Sequence, residues 1–425
     1  MSAKTKSTKP QGSITLPAEV GEEHMVVQLA KKWGADAIRD SDGTELSEEM
    51  LDLGLEVYST TCLVRAEQTY PRKHMDQLPQ KFLMSDPVTA SGKTLVIDPM
   101  SGFYREKYVI DLKHPAKKYW EVINRTTGEV VPVSKWTLDP KTGKVTITGT
   151  TPFHVYTVNF LVFQIWDTTS MYNHLTNNWD KPHVISVDPY HKECWDHLMA
   201  FYDNYLDEHP QTDVVRLTTL AYHFAVDSDQ ESVDKFRDWT GYQDTISVPA
   251  LEDFAKEHGY RLRAEDFVDE GYYNAACRVP SERYLAWMKF IHKFVVKFGK
   301  ALVDKAHKKG KKTAIFWGDH WIGVEPYLPS FLKMGIDIHV GAAEDGVALR
   351  RISDTPGGLV KELRLYPYFF PDVFREGGDP LGESVSNWIK IRRALLRKPI
   401  DRLGYGGYLS LALKFPEFVD HVADL

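Results

Sequence analysis

The stretch TAIFWGDHWIGVEPY, residues 313–327, indicates the fold because a short apolar run in it ends abruptly on an acid, Asp319. Such a run is typical of a strand that is buried in a parallel sheet. Protein cores tolerate aspartate poorly. We therefore expect Asp319 to lie at the end of a strand, where parallel α/β folds place their active sites.

The same pattern recurs along the chain, since short β-type runs alternate with longer amphipathic segments. Eight such runs with helices between them predict an α/β fold, a closed (β/α)8 TIM-type barrel. The predicted strands are residues 35–40, 56–64, 155–163, 213–221, 313–319, 336–342, 362–369 and 402–408. The predicted helices are residues 21–33, 191–208, 249–258, 281–309 and 381–397.

Three segments depart from this alternation. Residues 1–13 are polar and predict a disordered tail, so the barrel is expected to occupy residues 14–425. Residues 93–150 contain glycine-bearing hairpin turns and predict a small antiparallel β insertion after the second predicted strand. Residues 222–280 predict a loop-rich, aromatic excursion that shapes the mouth of the barrel.

Charge and composition exclude several classes of protein. The formal net charge is -7, and no basic stripe suits a nucleic acid. The chain has no apolar run long enough to span a membrane and no apolar signal segment near residue 1. We expect no nucleic-acid or membrane partner and a cytoplasmic location. Cys62, Cys194 and Cys277 are far apart, so neither a disulfide framework nor a zinc site is predicted.

The predicted strand ends carry a cluster of mixed charge, to which several strands contribute. One interpretation is structural, in which the acids neutralise buried arginines as ion pairs. The other is that the guanidinium groups bind a phosphate, whose oxygens they match in a bidentate way. The cluster comprises Arg39, Asp40, Arg216, Asp319, Glu362, Arg364 and Tyr368.

Asp319 is the acid best placed for catalysis, and the amides, hydroxyls and rings of residues 167–180 suit sugar hydroxyls. Hydrolytic glycosidases commonly use two carboxylates. A phosphate nucleophile would remove the need for the second, because it carries its own charge. One acid and a set of arginines are therefore consistent with transfer of a sugar to phosphate.

Several phrases together resemble one family, the galacto-N-biose/lacto-N-biose phosphorylases of glycoside hydrolase family 112. They include WGADAIRDSDGT (33–44), TDVVRLTT (212–219), FWGDHWIGVEPY (316–327) and ELRLYPYFFP (362–371). The resemblance implies an inverting, reversible phosphorylase that converts a β-galactosyl disaccharide and phosphate into α-D-galactose 1-phosphate and a free acceptor sugar. It implies no metal or organic cofactor, and a homodimer as the candidate assembly. The β-rich domains that follow the barrel in the family are expected to be absent from this chain.

The resemblance also implies roles for individual residues. Asp319 matches the general acid, and Arg39 and Arg364 match positions that bind phosphate. Arg216 matches an arginine on the acceptor side, and the apolar Phe316, Trp317 and Trp321 are expected to keep the Asp319 carboxyl protonated. Further substrate contacts are expected from Thr169, Asn173, Trp239, Tyr242, Trp321 and Tyr368, with Thr168 beside them.

Three alternatives stay open at this stage. A β-1,4-galactosyl-L-rhamnose phosphorylase of the same family would use the same motifs, because pocket shape selects the acceptor sugar. A β-galactosidase would release galactose without phosphate. A non-catalytic barrel that only binds sugar is the third.

Overall fold

A closed barrel of parallel strands forms the centre of the protein, which confirms the predicted (β/α)8 class. The computed structural model describes residues 13–41, 44–177, 182–218, 220, 225–231, 234–238, 246–274, 278–317 and 328–425; the tail 1–12 lies outside them. Barrel strands 1 to 8 are, in chain order, Ser13–Pro17, Ala37–Arg39, Glu56–Thr61, Val214–Leu217, Lys312–Phe316, Ile338–Ala342, Val360–Phe369 and Arg402–Gly407.

Helices surround the barrel, and each of the five predicted ones is present. They are Glu23–Trp33, Lys192–Glu208, Val248–His258, Glu282–Lys308 and Pro380–Leu395. The helix Glu282–Lys308 begins after Ser281, whose hydroxyl accepts a hydrogen bond from the amide of Tyr284, and its last turn is basic. Its apolar face, which includes Trp287 and Phe298, is buried.

Shorter helical segments complete the connections. The α-helices are Glu48–Leu51, Leu63–Ala66, Thr69–Lys73, Ala116–Tyr119, Thr168–Asn177, Ala264–Val268, Leu328–Phe331, Gly346–Asp354, Leu409–Ala412 and Pro416–Asp424. The 3-10 turns are Met75–Gln77, Val133–Lys135, Asp269–Gly271 and Leu332–Met334. In the part of the chain that is described, no helix is long and apolar enough to cross a membrane.

The prediction that residues 155–163 form a barrel strand is wrong. Val155–Gln164 is the central strand of an antiparallel sheet and pairs with Gln80–Met84 and Glu121–Asn124. The barrel is closed instead by Ser13–Pro17, which lies between barrel strands 8 and 2. A strand covered on both faces has the same continuous apolar run in either kind of sheet, so the pattern alone does not distinguish them.

The antiparallel insertion follows Glu56–Thr61, the second predicted strand, as expected. It extends from Gln80 to Gln164 and is therefore wider than residues 93–150. Its strands are Gln80–Met84, Val88–Thr89, Thr94–Ile97, Tyr108–Ile110, Glu121–Asn124, Glu129–Val130, Trp136–Leu138, Val145–Thr148 and Val155–Gln164.

The excursion at residues 222–280 is more regular in its described part than its loop-rich sequence predicted. It contains the hairpin Ala225–Ser228 and Asp234–Asp238 and, further on, the helices Val248–His258 and Ala264–Val268. Elsewhere, Cys62 and Cys194 are buried, and Cys277 lies outside the described residues.

The lower interior of the barrel is a small apolar layer. Side chains from six neighbouring strands pack together in it, because alternate residues of each strand point inward. The layer consists of Ala37, Tyr58, Val214, Ala314, Ile338 and Val340, with Phe316 and Val360 packed against them.

Candidate functional site

Three arginines line the barrel interior above this apolar layer, as the alternation of side chains requires. Arg39 lies two residues after the inward-facing Ala37, and Arg216 lies two residues after Val214. Arg364 lies four residues after Val360, on the same face of its strand. All three side chains are at least nine-tenths buried. The structure therefore brings together the three arginines that the sequence placed at strand ends.

Arg39 is held mainly by backbone carbonyl groups. Its Nη1 donates to the carbonyl oxygen of Asp40 and to the hydroxyl of Ser41, both at 2.9 Å. Its Nη2 donates to the carbonyl oxygens of Tyr405 at 2.8 Å and Gly407 at 3.1 Å. All of these acceptors are neutral, so within the described residues Arg39 has no carboxylate in a direct ion pair to balance its charge.

Arg364 is bound to barrel strand 8 and to a buried acid. Its Nη1 donates to the carbonyl oxygen of Tyr405 at 2.9 Å, so Arg39 and Arg364 share that acceptor. Its Nη2 lies 2.7 Å from Oε1 of Glu362, and neither side chain of this pair is exposed. Gly404 provides the space, because a Cβ there would lie 2.5 Å from Nη1 of Arg364.

Arg216 and Asp40 are linked through one threonine. The Nη1 of Arg216 donates to the hydroxyl of Thr60 at 3.2 Å, and the amide of Thr60 donates to Oδ1 of Asp40 at 2.6 Å. The guanidinium of Arg216 also lies over the ring of Phe316, 5.6 Å from its centroid. Sequence reasoning did not include Thr60, whose inward position two residues after Tyr58 was the available signal.

Burial and like charges shift the protonation equilibria of this cluster. Burial, and then repulsion from Arg364, lowers the pKa of Arg216 to about 10 and moves the pKa of Arg39 well below its ordinary value. Burial raises the pKa of Asp40 to about 7, although the hydrogen bonds from Thr60 oppose the rise. The arrangement favours an anion, because a bound negative charge would relieve the repulsion among the arginines.

The structural interpretation of the cluster explains only part of it. Glu362 contacts Arg364 as an ion pair, as that interpretation expects. Among the described residues, however, Arg39 and Arg216 are bonded to carbonyl and hydroxyl oxygens rather than to carboxylates. Two of the three arginines therefore have no carboxylate partner within the part of the chain that the structure describes.

Trp317 belongs to the outer core rather than the barrel interior, and its expected place beside the Asp319 carboxyl stays a prediction because Asp319 lies outside the described residues. Trp317 is fully buried in the outer core, between the barrel and its helices, whereas Phe316 packs against the barrel interior. Its indole N–H donates to Nδ1 of His339 at 2.8 Å. Neighbouring residues of a strand face opposite sides, so Phe316 and Trp317 cannot both point into the barrel.

Two predicted substrate residues lie on one short helix near the strand ends. Thr169 and Asn173 are four residues apart in Thr168–Asn177 and so share a face of that helix. Asp167, just before it, accepts hydrogen bonds from the amide of Ser170 at 3.0 Å and from Arg65 at 2.8 Å. Arg65 follows barrel strand 3, so this ion pair attaches the helix to the C-terminal side of the barrel.

Tyr368 lies on barrel strand 7 beyond Arg364. Its ring is stacked on Tyr366, with 4.9 Å between centroids, and it covers Gly406, where a Cβ would approach the ring to 2.9 Å. The stacked pair forms an aromatic surface on the C-terminal side of Arg364, towards the end of barrel strand 7. The other predicted site residues, Asp319, Trp321, Trp239 and Tyr242, lie outside the described residues.

Sequence reasoning missed the part that barrel strand 8 plays in the site. The carbonyl oxygen of Tyr405 accepts from both Arg39 and Arg364, and Gly404 and Gly406 leave room for Arg364 and Tyr368. The available signal was the repeat GYGGY at residues 404–408, which places glycine at successive inward positions. Among the described residues, no group of three or more His, Cys, Asp or Glu side chains is arranged to hold a metal ion.

These features define the class of the protein: a (β/α)8 barrel with a buried cluster of arginines at the C-terminal ends of its strands. Comparison of sequences then gives the family. Residues 12–425 match the model of the lacto-N-biose phosphorylase N-terminal TIM barrel domain, and the chain belongs to that family.

Curated relatives agree with this assignment. The chain is 46% identical over 415 residues to a 1,3-beta-galactosyl-N-acetylhexosamine phosphorylase of Bifidobacterium longum, covering 97% of this chain and 55% of the relative. It is 42% identical to a D-galactosyl-beta-1->4-L-rhamnose phosphorylase of Lachnoclostridium phytofermentans (97% and 58%). It is also 42% identical to a 1,3-beta-galactosyl-N-acetylhexosamine phosphorylase of that organism (98% and 58%). The chain thus spans little more than half the length of these relatives.

Proposed function

We propose that the chain is the catalytic barrel of an inverting β-galactoside phosphorylase. It would cleave a disaccharide of the galacto-N-biose/lacto-N-biose type with phosphate to give α-D-galactose 1-phosphate and a free acceptor sugar, reversibly. The observation that carries the proposal is the group of three buried arginines, two of which have no carboxylate partner among the described residues. The names of the relatives support the same reaction class.

In the proposed reaction, phosphate is held by Arg39 and Arg364 beside the anomeric carbon of galactose. Asp319 donates its proton to the glycosidic oxygen as that bond breaks, and phosphate attacks from the opposite face, which inverts the configuration. In the reverse direction the Asp319 carboxylate accepts the proton of the acceptor hydroxyl. Arg216 and the face of Thr169 and Asn173 are proposed to contact the acceptor sugar.

The test is to incubate the protein with lacto-N-biose or galacto-N-biose, with and without inorganic phosphate. We expect α-galactose 1-phosphate only when phosphate is present. Galactose released at the same rate without phosphate would indicate a β-galactosidase, and binding of the disaccharide without any product would indicate a non-catalytic barrel.

A second acceptor is a specific rival, because one relative at 42% identity is a galactosyl-rhamnose phosphorylase. Incubation with α-galactose 1-phosphate and GlcNAc, GalNAc or L-rhamnose separates the two proposals by the disaccharide that forms. The absence of a cofactor, the cytoplasmic location and the homodimer stay predictions from the sequence.

A further inference from the structure

A buried carboxylate, Glu362, lies beneath the arginine cluster. Its side chain is fully buried, and its Oε1 is 2.7 Å from Nη2 of Arg364. Within the described part of the chain, neither oxygen of Glu362 has a hydrogen bond of acceptable angle. Buried carboxylates usually accept several hydrogen bonds. Glu362 therefore acts on its surroundings mainly through its charge.

Glu362 lies deeper in the barrel than Arg364, away from the strand ends where a ligand would enter. Glu362 precedes Arg364 by two residues on the same inward face of barrel strand 7, so it is one layer deeper in the barrel. On barrel strand 8, Arg402 lies opposite Glu362, and Gly404 lies opposite Arg364. An anion arriving at the strand ends meets the guanidinium groups first and has Arg364 between itself and Glu362.

The charge of Glu362 also reaches the other arginines. Burial and the neighbouring Arg364 lower the pKa of Arg39 and of Arg216, and the negative charge of Glu362 partly offsets this lowering in both. Its negative charge also favours the charged form of Arg402, the residue opposite it, so Glu362 is a counter-charge shared by four arginines. A phosphate at the mouth would compete with it for the same positive charge.

We propose that Glu362 is a positioning residue that sets the affinity of the arginine cluster for phosphate. It holds Arg364 from below and neutralises part of the cluster, so that phosphate binds weakly enough to exchange during turnover. The inference rests on the proposed function, since it takes phosphate as the ligand of this site. Glu362 would thus act on the site without contacting sugar or phosphate.

The test is the substitution Glu362→Gln, which keeps the size of the side chain and an oxygen that can face Arg364. We expect the Kd for inorganic phosphate, measured by titration calorimetry, to fall roughly tenfold, because a nearby negative charge has been removed at a buried site. The KM for phosphate should fall with it, while the KM for the disaccharide changes by less than about twofold.

Two control variants separate charge from packing. Glu362→Asp keeps the charge and should leave the Kd for phosphate within about threefold of the parent. Glu265→Gln removes a carboxylate outside the barrel, 2.6 Å from Arg125, and should leave phosphate binding unchanged. If Glu362→Gln does not fold, the double variant Glu362→Gln with Arg364→Gln is compared with Arg364→Gln alone, and the double variant should bind phosphate more tightly.

An unchanged or raised Kd for phosphate in a folded Glu362→Gln variant would overturn the inference. A parent protein that binds phosphate and forms galactose 1-phosphate would then leave the proposed function intact. A parent protein that binds no phosphate would overturn both. A parent that binds phosphate without turnover would contradict the proposed reaction, and the comparison of affinities would still decide the role of Glu362.

Discussion

The substitution Asp40→Asn should stabilise the fold, and more so as the pH rises. Asp40 is 8% exposed, and its Oδ1 accepts the amide of Thr60 at 2.6 Å, a bond that an asparagine oxygen can keep. Burial raises the pKa of this carboxyl from 3.8 to about 7. The variant removes the free-energy cost of burying a charged carboxylate at this position.

The magnitude follows from linkage between protonation and folding. Each pKa unit corresponds to ~1.4 kcal/mol, so the full rise bounds the effect at ~4 kcal/mol, and we expect about 2–4 kcal/mol at pH 8. The folded state binds the proton more tightly than the unfolded state. The stability of the parent therefore falls as the pH rises from about 4 to about 7, and the gap to Asp40→Asn widens over that window.

The assay is urea unfolding of both proteins, followed by tryptophan fluorescence at several values between pH 4 and pH 8. Asp139→Asn is a matched control, because hydrogen bonds from Lys141 and Thr142 lower the pKa of that exposed carboxyl. Asp139→Asn should therefore lower the free energy of unfolding at pH 8, the opposite sign to Asp40→Asn. If the difference in free energy of unfolding between Asp40→Asn and the parent does not change with pH, or if the variant is less stable at pH 8, the reasoning is refuted.

Three further substitutions test separate parts of the account. Gly404→Ala places a Cβ 2.5 Å from Nη1 of Arg364 and should raise the KM for phosphate by about tenfold or more, whereas Gly92→Ala, which meets no atom within 4 Å, should not. Trp317→Phe removes the donor to Nδ1 of His339 and should lower the free energy of unfolding by about 1–3 kcal/mol, measured in urea. Asp319→Asn should abolish phosphorolysis and leave the unfolding midpoint close to that of the parent. Near-normal turnover would remove Asp319 from the mechanism.

The barrel and its arginines were predictable because both depend on simple periodicities. Short apolar runs between amphipathic helices indicate parallel strands, and polar residues at their ends collect at one face of the barrel. Arg39, Arg216 and Arg364 meet there for that reason. The strand Val155–Gln164 was misassigned because burial on both faces produces one pattern in two kinds of sheet.

The finer geometry of the site was not predictable from side-chain types. The acceptor that joins Arg39 to Arg364 is the backbone carbonyl of Tyr405, which any residue would carry. Whether Trp317 faces the barrel or the helices depends on the phase of the strand, and a single residue reverses it. The role of Glu362 likewise depends on its depth beneath Arg364, which only the register of the strands establishes.

In the proposed function, the arginine cluster binds the phosphate that accepts galactose. The most direct test is steady-state kinetics of Arg364→Gln with phosphate and disaccharide varied in turn. We expect kcat/KM for phosphate to fall by about a hundredfold or more while the KM for the disaccharide changes by less than about threefold. An equal loss for both substrates would contradict the claim and would make Arg364 a structural partner of Glu362.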